Sequence, residues 1–402
     1  MLLTLLHIVL GILFVYLAIN TLYFFTAAVA GKLYRSPKYL PHPDKKKIAV
    51  LIPTYKEDHI IINTVKKALE HDYPADRFTI FVAADQLQPE TIAELLSYRI
   101  CLKEVQFELS SKARSLNALL NHVPENEYEI AIIIDADNIM MPGTLEKVNA
   151  AFHKGFRAVQ CHRTAKNRNT PVAVLDAMSE EINNHIFRRG QRALGFSSNT
   201  IGSGMAFEFK KLKEIYNKPG ILGNPACDRE VDFETMKADI CIEFIDDAYV
   251  LDEKVSSKAV FERQRTRWLE SQIIHLRLFF DKNQGHLPRT KDYWNKLFAN
   301  FAPPRLVFLI SYCIFFLLFL VELISGVQFL FPPYIWWAGL TVLYFLTFVI
   351  SIPGNFYTWK TLRALLHIPL LMWSIVRAIF RMKVSRKEFL HTPKAYTQES
   401  NH

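Results

Sequence analysis

Two carboxylates one residue apart, Asp135 and Asp137, follow the apolar run Ile132-Ile133-Ile134. At the end of a buried strand such a pair can hold Mg²⁺ or Mn²⁺, which takes a couple of carboxylates and fills its shell with phosphate oxygens and water. The same pair also suits a plain turn, with Asp137 capping the next segment. Farther on, "ERQRTRWLES" (262–271) sets Gln264, Arg267 and Trp268 at i, i+3 and i+4, one face if the segment is helical. An amide, a guanidinium and an indole side by side suit a cleft that holds a phosphate and a flat apolar ring face together. The competing reading is a solvated basic helix lying near a membrane. Between these two sites, "ACDREVD" offers Asp228, Glu230 and Asp232 for general-base work, or simply for the acid-rich first turn of a helix.

The elements that must position these residues are visible as apolar runs. "KIAVLIP", "RFTIFVAAD", "EIAIIID" and "RAVQC" have strand length and little alternation, as parallel strands buried on both faces do. Helical patterns, such as Ile60–Glu70 and Thr91–Ile100, lie between them. The expected fold is α/β, Rossmann-like, with a mostly parallel sheet. Its polar residues fall at carboxyl ends of strands, where such sheets bind ligands: Pro53, Tyr55 and Glu57 after the first strand, Asp85 after the second, Asp135 and Asp137 after the third. The chain has neither G-x-G-x-x-G nor G-x-x-x-x-G-K-[ST], which excludes the dinucleotide and P-loop readings at their own motifs.

Half of the 402 residues are apolar, and they are unevenly distributed. Met1–Gly31 has no Asp, Glu, Lys or Arg and is long enough to cross a bilayer. Without a basic start or a small-residue cleavage site, it reads as a retained anchor. Leu306–Val321, continuing past Glu322 to Ile324, and Tyr334–Ile352 are two more spans. Glu322 falls near the outer end of its helix, where interfacial exposure is expected. Leu362–Phe380, broken by Arg363 and Arg377, reads as an interfacial segment or a third C-terminal span. Lys32, Arg35, Lys38 and Lys45–Lys47 follow the first span, and Lys360, Arg363, Arg381, Lys383, Arg386 and Lys387 follow the third. By the positive-inside rule the middle of the chain is cytosolic and the uncharged Ser325–Pro333 lies outside, in a plasma or inner membrane. The formal charge of +9 gathers near these segments and points to anionic lipid; no nucleic-acid module is present. Five scattered cysteines without a C-x-x-C fit a reducing compartment. The expected division is an anchor (1–31), a basic linker (32–47), the α/β domain (48–258), amphipathic interface helices (259–300), two spans (301–353) and a basic segment and tail (354–402).

Asp85, Asp135-Ala136-Asp137, the acids near 228 and Gln264-x-x-Arg267-Trp268, in this order and before membrane helices, resemble the membrane-bound family 2 glycosyltransferases. That group includes the cellulose, hyaluronan, chitin-oligosaccharide and poly-N-acetylglucosamine synthases. The resemblance covers about residues 48–270 and the flanking membrane layout, and it implies a GT-A fold and inverting transfer from a UDP-sugar (UDP-GlcNAc or UDP-glucose) to a growing β-linked polysaccharide. Residue by residue it implies a nucleotide site at Pro53, Tyr55, Glu57, Asp85 (reading uracil), Lys112, Asp135 and Arg267, with Asn117 nearby and Ser115 where alanine is usual. It implies Mg²⁺ or Mn²⁺ on Asp135 and Asp137. Gly202, Ser203 and Gly204 in "GSGMAF", with Gln264 and Trp268, would form the acceptor side, although those glycines also suit an ordinary turn. Asp228 would be the base, with Cys227 where the family has Glu and Ala226 where it has Thr; Glu230 and Asp232 compete for the role. Arg263 and Arg265 are expected to face headgroups or solvent. The alternatives are a single-transfer lipid glycosyltransferase, like the ceramide glucosyltransferases, and a non-catalytic synthase subunit. A homo-oligomer or an export partner would suit the polymer reading.

Overall fold

The computed structural model describes residues 1–124, 126–223 and 227–382, so Ala226 and the basic residues Lys383, Arg386 and Lys387 lie outside the described residues. The apolar runs form strands β1 (Ile48–Tyr55), β2 (Phe78–Asp85), β4 (Ile130–Ile133) and β6 (Ala158–Ala165). Four further strands complete the sheet: β3 (Cys101–Val105), β5 (Ile139–Met140), β7 (Met205–Glu208) and β8 (Ile242–Asp252). Their order is β3-β2-β1-β4-β7-β6-β8-β5. The pairs β1–β2, β2–β3, β1–β4 and β6–β8 are parallel, while β7 runs against both its neighbours and β5 against β8. Helices cover both faces, and an apolar cluster fills each side, one around Ile52, Val82 and Ile132, the other around Leu116, Phe207 and Tyr216. This is the GT-A arrangement.

The reversed strand β7 matters for function. Its register sets Met205 opposite Ile133, so its first residue stands at the carboxyl end of β4. The Gly202-Ser203-Gly204 loop just before β7 is thereby laid beside Asp135. A parallel strand would have sent that loop to the opposite edge.

Among the described residues three helices are long and apolar enough to cross a membrane: Leu3–Leu33, Arg305–Ser325 and Tyr334–Ser351. The region 362–380 is a bent pair, Trp359–Leu365 and Ile368–Arg381, turning by 45°. Glu322 is engaged locally: its carboxylate accepts from the backbone N–H groups of Phe329 (2.7 Å) and Leu330 (3.1 Å), closing the loop between the second and third helices.

The first helix does more than present an apolar surface. Its large exposed apolar side chains run from Leu3 to Leu22, with Leu33 at the far end, and between these Phe24, Ala27 and Ala28 are buried against the α/β domain. There it crosses a π-helical turn, His185–Gly190. A side chain on Gly190 would collide with the Ala27 carbonyl, and one on Gly31 would come within 3.0 Å of the His185 carbonyl. Two glycines therefore permit backbone-to-backbone contact. His185 Nε2 also lies 2.9 Å from the Ala28 carbonyl.

In the linker, Lys45, Lys46 and Lys47 pair with Glu146, Glu129 and Glu127 on the domain itself. Carboxylates that arrive from other elements thus meet the entry into β1.

Candidate active site

A cleft of about 640 Å³ opens at the carboxyl ends of β1 and β4 and reaches the helix Lys258–Leu278. Pro53, Thr54, Tyr55 and Glu57 line it from β1, Lys112 from the start of the helix Lys112–His122, and Asp135 from the end of β4. Asp85 stands opposite Tyr55 in the β1–β2 register and is fully buried. Burial raises its proton affinity, opposed by Ser110 and Lys56. Thr54 Oγ1 and both Asp85 oxygens are buried without a well-formed hydrogen bond. Unsatisfied buried polar atoms are costly, and here they gather at two adjacent strand ends, as a site for a polar ligand does. Asn117 instead donates to Tyr216 O (3.0 Å) and Asn217 Oδ1 (2.7 Å), away from the cleft.

Asp135 is ion-paired with Lys112, whose ammonium also donates to the Gly202 carbonyl at 2.7 Å. Asp137 lies deeper and is wholly buried. Asn138, with its amide oriented to satisfy all its neighbours, donates to Asp137 (3.0 Å) and Asp252 (3.1 Å) and accepts from Ser203 Oγ (2.7 Å). Among the described residues no group of three or more His, Cys, Asp or Glu is arranged to hold an ion. Asp135 thus stands on the cleft wall and Asp137 behind it, outside the lining, so a hard cation held there would take most of its ligands from phosphate and water.

The glycine-rich loop divides between two tasks. Gly202 (φ +84°) faces the cleft, and a Cβ there would stand 3.3 Å from Lys112 Nζ and 3.4 Å from Asp228 Oδ2. Gly204 (φ +68°) faces the core, where Val250 and Cys161 leave no room for a side chain. Ser203 is fully buried, and its Oγ accepts from the Asp135 backbone N–H at 3.0 Å. The structure therefore does not bring Ser203 or Gly204 to an acceptor; both hold the loop under the carboxylate pair. Gln160, which the sequence did not flag, completes the clamp: its amide donates to Ser203 O (2.9 Å) and its Oε1 accepts from Ile201 N (3.1 Å).

Asp228 sits in the first turn of the helix Cys227–Lys237, on the cleft wall beside Gly202. Both competitors are engaged. Asp232, which lines the same cleft, is ion-paired with Lys296 at 2.7 Å, and Glu230, outside the lining, lies 3.5 Å from His275.

Gln264, Arg267 and Trp268 all line the cleft, as their spacing requires. Gln264 Oε1 is buried and meets no donor. Burial lowers the proton affinity of Arg267, opposed by Asp228, Asp135 and Cys227, so the guanidinium shares one space with both carboxylates. Arg263 is exposed as expected, but Arg265 is not. It pairs with Asp176 and lies over the Trp268 ring at 4.1 Å. The helix Ile368–Arg381 covers another side of the Gln264–Trp268 helix, with Arg377 (2.5 Å) and Arg381 (2.7 Å) on the buried Glu262. A helix packed on several sides leaves few of its charges to solvent.

The sequence also gave no sign of the charged floor of this cleft. Glu180, on the helix Pro171–Asn184, accepts from Arg163 (3.1 Å) and Lys254 (3.4 Å), with Arg188 at 4.0 Å. The signal was present only as polar residues inside otherwise apolar segments. Burial brings Arg188 down to about 10, with Glu180 opposing.

A GT-A sheet whose strand ends share one cleft with the helix Cys227–Lys237 and the Gln-x-x-Arg-Trp helix is the architecture of a glycosyltransferase. The model for "Glycosyltransferase like family 2" matches residues 43–271, more than half of the chain, and the chain belongs to that family. No curated protein matches it. Among solved structures it is similar to the mannosyltransferase PcManGT from Pyrobaculum calidifontis in complex with GDP-Man and Mn²⁺ (TM-score 0.57, 17% identity, covering 94% of this chain and 98% of that one). It is more distantly similar to S. aureus TarS 1–349 (TM-score 0.42, 16% identity, 83% and 88% covered), too distant to bear on the fold. At such identity the first likeness speaks for the fold alone.

Ser203→Ala should leave the Asp135 N–H without its acceptor and destabilise the chain by about 1–3 kcal/mol, the usual cost of a buried orphan donor. Chemical denaturation measures it. A variant as stable as the parent, with only acceptor use impaired, would return Ser203 to the acceptor side.

Proposed function

We propose that the protein is a membrane-bound inverting glycosyltransferase that moves a sugar from a UDP-sugar to a growing β-linked polysaccharide, with its catalytic domain in the cytosol. The observation that carries this reading is the convergence of Asp135, Lys112, Asp228, Gln264, Arg267 and Trp268 on one cleft. Pro53, Tyr55, Glu57 and the buried Asp85 receive the nucleoside. Arg267 meets the diphosphate through charge-assisted hydrogen bonds. Asp228 takes the proton from the acceptor hydroxyl, which attacks the anomeric carbon from the face opposite UDP and leaves a β-linkage. Trp268 offers its ring to the acceptor sugar, and Gln264 its unsatisfied amide oxygen. Asp135 and Asp137 would hold Mg²⁺ or Mn²⁺, which supplies charge neutralisation for the leaving diphosphate. The manganese complex of the mannosyltransferase PcManGT supports that choice of ion.

One observation favours the second reading, a single transfer to a lipid. The described residues hold three candidate spans, or up to four with the bent pair, which is little wall for a polymer channel. Product mass after incubation with UDP-GlcNAc, UDP-glucose and GDP-mannose separates the readings: one added sugar on lipid, or a ladder. Absence of nucleotide release from all three would leave the non-catalytic subunit.

Three outcomes test the roles. Asp137→Asn, or chelation of the parent, should abolish nucleotide release while the chain stays folded; full activity in chelator removes the ion from the scheme. Asp228→Asn should bind UDP nearly as the parent does and turn over at least ~10²-fold more slowly, the scale for a lost general base. If Asp228→Asn keeps the parent rate and Glu230→Gln or Asp232→Asn loses it, the base is misassigned. Arg267→Ala should weaken UDP binding, whereas Trp268→Ala should spare it and weaken acceptor use by about 1–3 kcal/mol. Equal loss of UDP affinity in both would contradict the division.

A further inference from the structure

Lys296 lies on the helix Lys291–Phe301, which no feature of the sequence tied to catalysis. It is only 2% exposed, and its ammonium is fully engaged. It donates to both oxygens of Asp232 (2.8 and 2.7 Å), to Asn199 Oδ1 (3.1 Å) and to the Ser198 carbonyl (3.3 Å). Asp232 stands one helical turn after Asp228 and also accepts from the Thr200 N–H at 3.1 Å. Thr200 Oγ1 in turn donates to the Asp228 carbonyl at 3.0 Å. Residues 198–200 lead directly into Gly202, against which Asp228 packs.

One buried cation thus joins the helix that carries Asp228 to the loop that walls it. Arg229, beside Asp228, is held by the same helix, donating to Asn300 Oδ1 at 3.1 Å. Asp292 accepts from Ser197 N at 2.6 Å. Asp292, Lys296 and Asn300 recur every four residues, so one helix face is given over to this work. Away from that face, Trp294 is 55% exposed and Phe301 47%. The Phe301 carbonyl accepts from Tyr16 of the first membrane helix at 2.7 Å, and Asn295 accepts from Tyr23 at 2.8 Å. The helix therefore rests on the membrane anchor and reaches the base helix through Lys296.

We infer that Lys296 is a positioning residue, holding the Asp228 carboxylate in register with the acceptor through Asp232 and Thr200. The inference rests on Asp228 being the base. None of the bonds to Lys296 goes to Lys112, Asp135 or Arg267, so its loss should appear in turnover and leave donor binding alone. Displacement of a reacting group by as little as an ångström costs about 10²-fold in rate.

The test uses the full chain in lipid nanodiscs, with UDP as the binding probe and nucleotide release from the donor the parent uses as the rate. Lys296→Met should keep UDP affinity within about twofold and lower kcat at least tenfold, while Lys296→Arg, which keeps the charge, recovers most of it. Asp232→Asn should resemble Lys296→Met, and the double variant should be no worse than either alone. Parental kcat in Lys296→Met overturns the inference. So does a parallel fall in kcat, UDP affinity and melting temperature without recovery in Lys296→Arg, which marks a purely structural role. Asp228→Asn, measured alongside, separates the two levels. If it stays active, the base assignment is wrong; if it is inactive while Lys296→Met is normal, the positioning role alone fails.

Discussion

A carboxylate buried where three chain segments meet constrains much of this structure. Burial by itself would raise the proton affinity of Glu180, yet Arg163, Lys254 and Arg188 outweigh it and hold the group well below the usual carboxylate range. Arg163 comes from β6, Lys254 from the turn after β8, and Arg188 from the π-helical turn that meets the first membrane helix. An ionised group in such a place is tolerated only when its partners are all in position, because removing one leaves an uncompensated charge. The sheet, the helix Pro171–Asn184 and the π-helical turn are therefore tied to one another through this carboxylate. The cleft floor is that arrangement seen from the ligand side.

The antiparallel strand β7 makes the other half of the cleft. Because it starts where β4 ends, the loop before it becomes a second wall, and Ser203 and Gln160 fasten that wall with hydrogen bonds to backbone. The two glycines differ in kind. Gly202 leaves room at the cleft for Lys112 and Asp228, while Gly204 lets the loop sink against Val250. Both have positive φ, but only one borders the ligand space.

What the sequence revealed follows from how each signal arises. Buried parallel strands need unbroken apolar runs, so β1, β2, β4 and β6 were readable. The edge strand β3, half exposed, has no such need, and "CLKEV" reads as nothing in particular. β8 was hidden by its charges, which look like loop residues until their partners are seen. Glu243 pairs with Arg192 at 2.7 Å, and Asp246 with Arg189 at 3.1 Å. The cleft-lining residues that share a short spacing, Asp135 with Asp137 and Gln264 with Arg267 and Trp268, were legible because local periodicity fixes their common face. Lys296, Gln160 and Glu180 were not, since the partners that fix them include Asp232 at 64 residues, Ser203 at 43 and Lys254 at 74. Arg265 was misjudged for a related reason: an arginine on a helix is normally solvated, and only the tertiary neighbours Asp176 and Trp268 bring it inside.

The first candidate span is gripped at two heights, at Tyr16 by Phe301 of the helix Lys291–Phe301 and at Ala28 by His185 of the π-helical turn. Twelve residues of α-helix separate those grips by about 18 Å along the axis. With two fixed points on one rigid rod, the rest of the chain cannot slide along that helix. The helix thereby works as a ruler: wherever its apolar length comes to rest, the distance of the cleft from it is set by residue count.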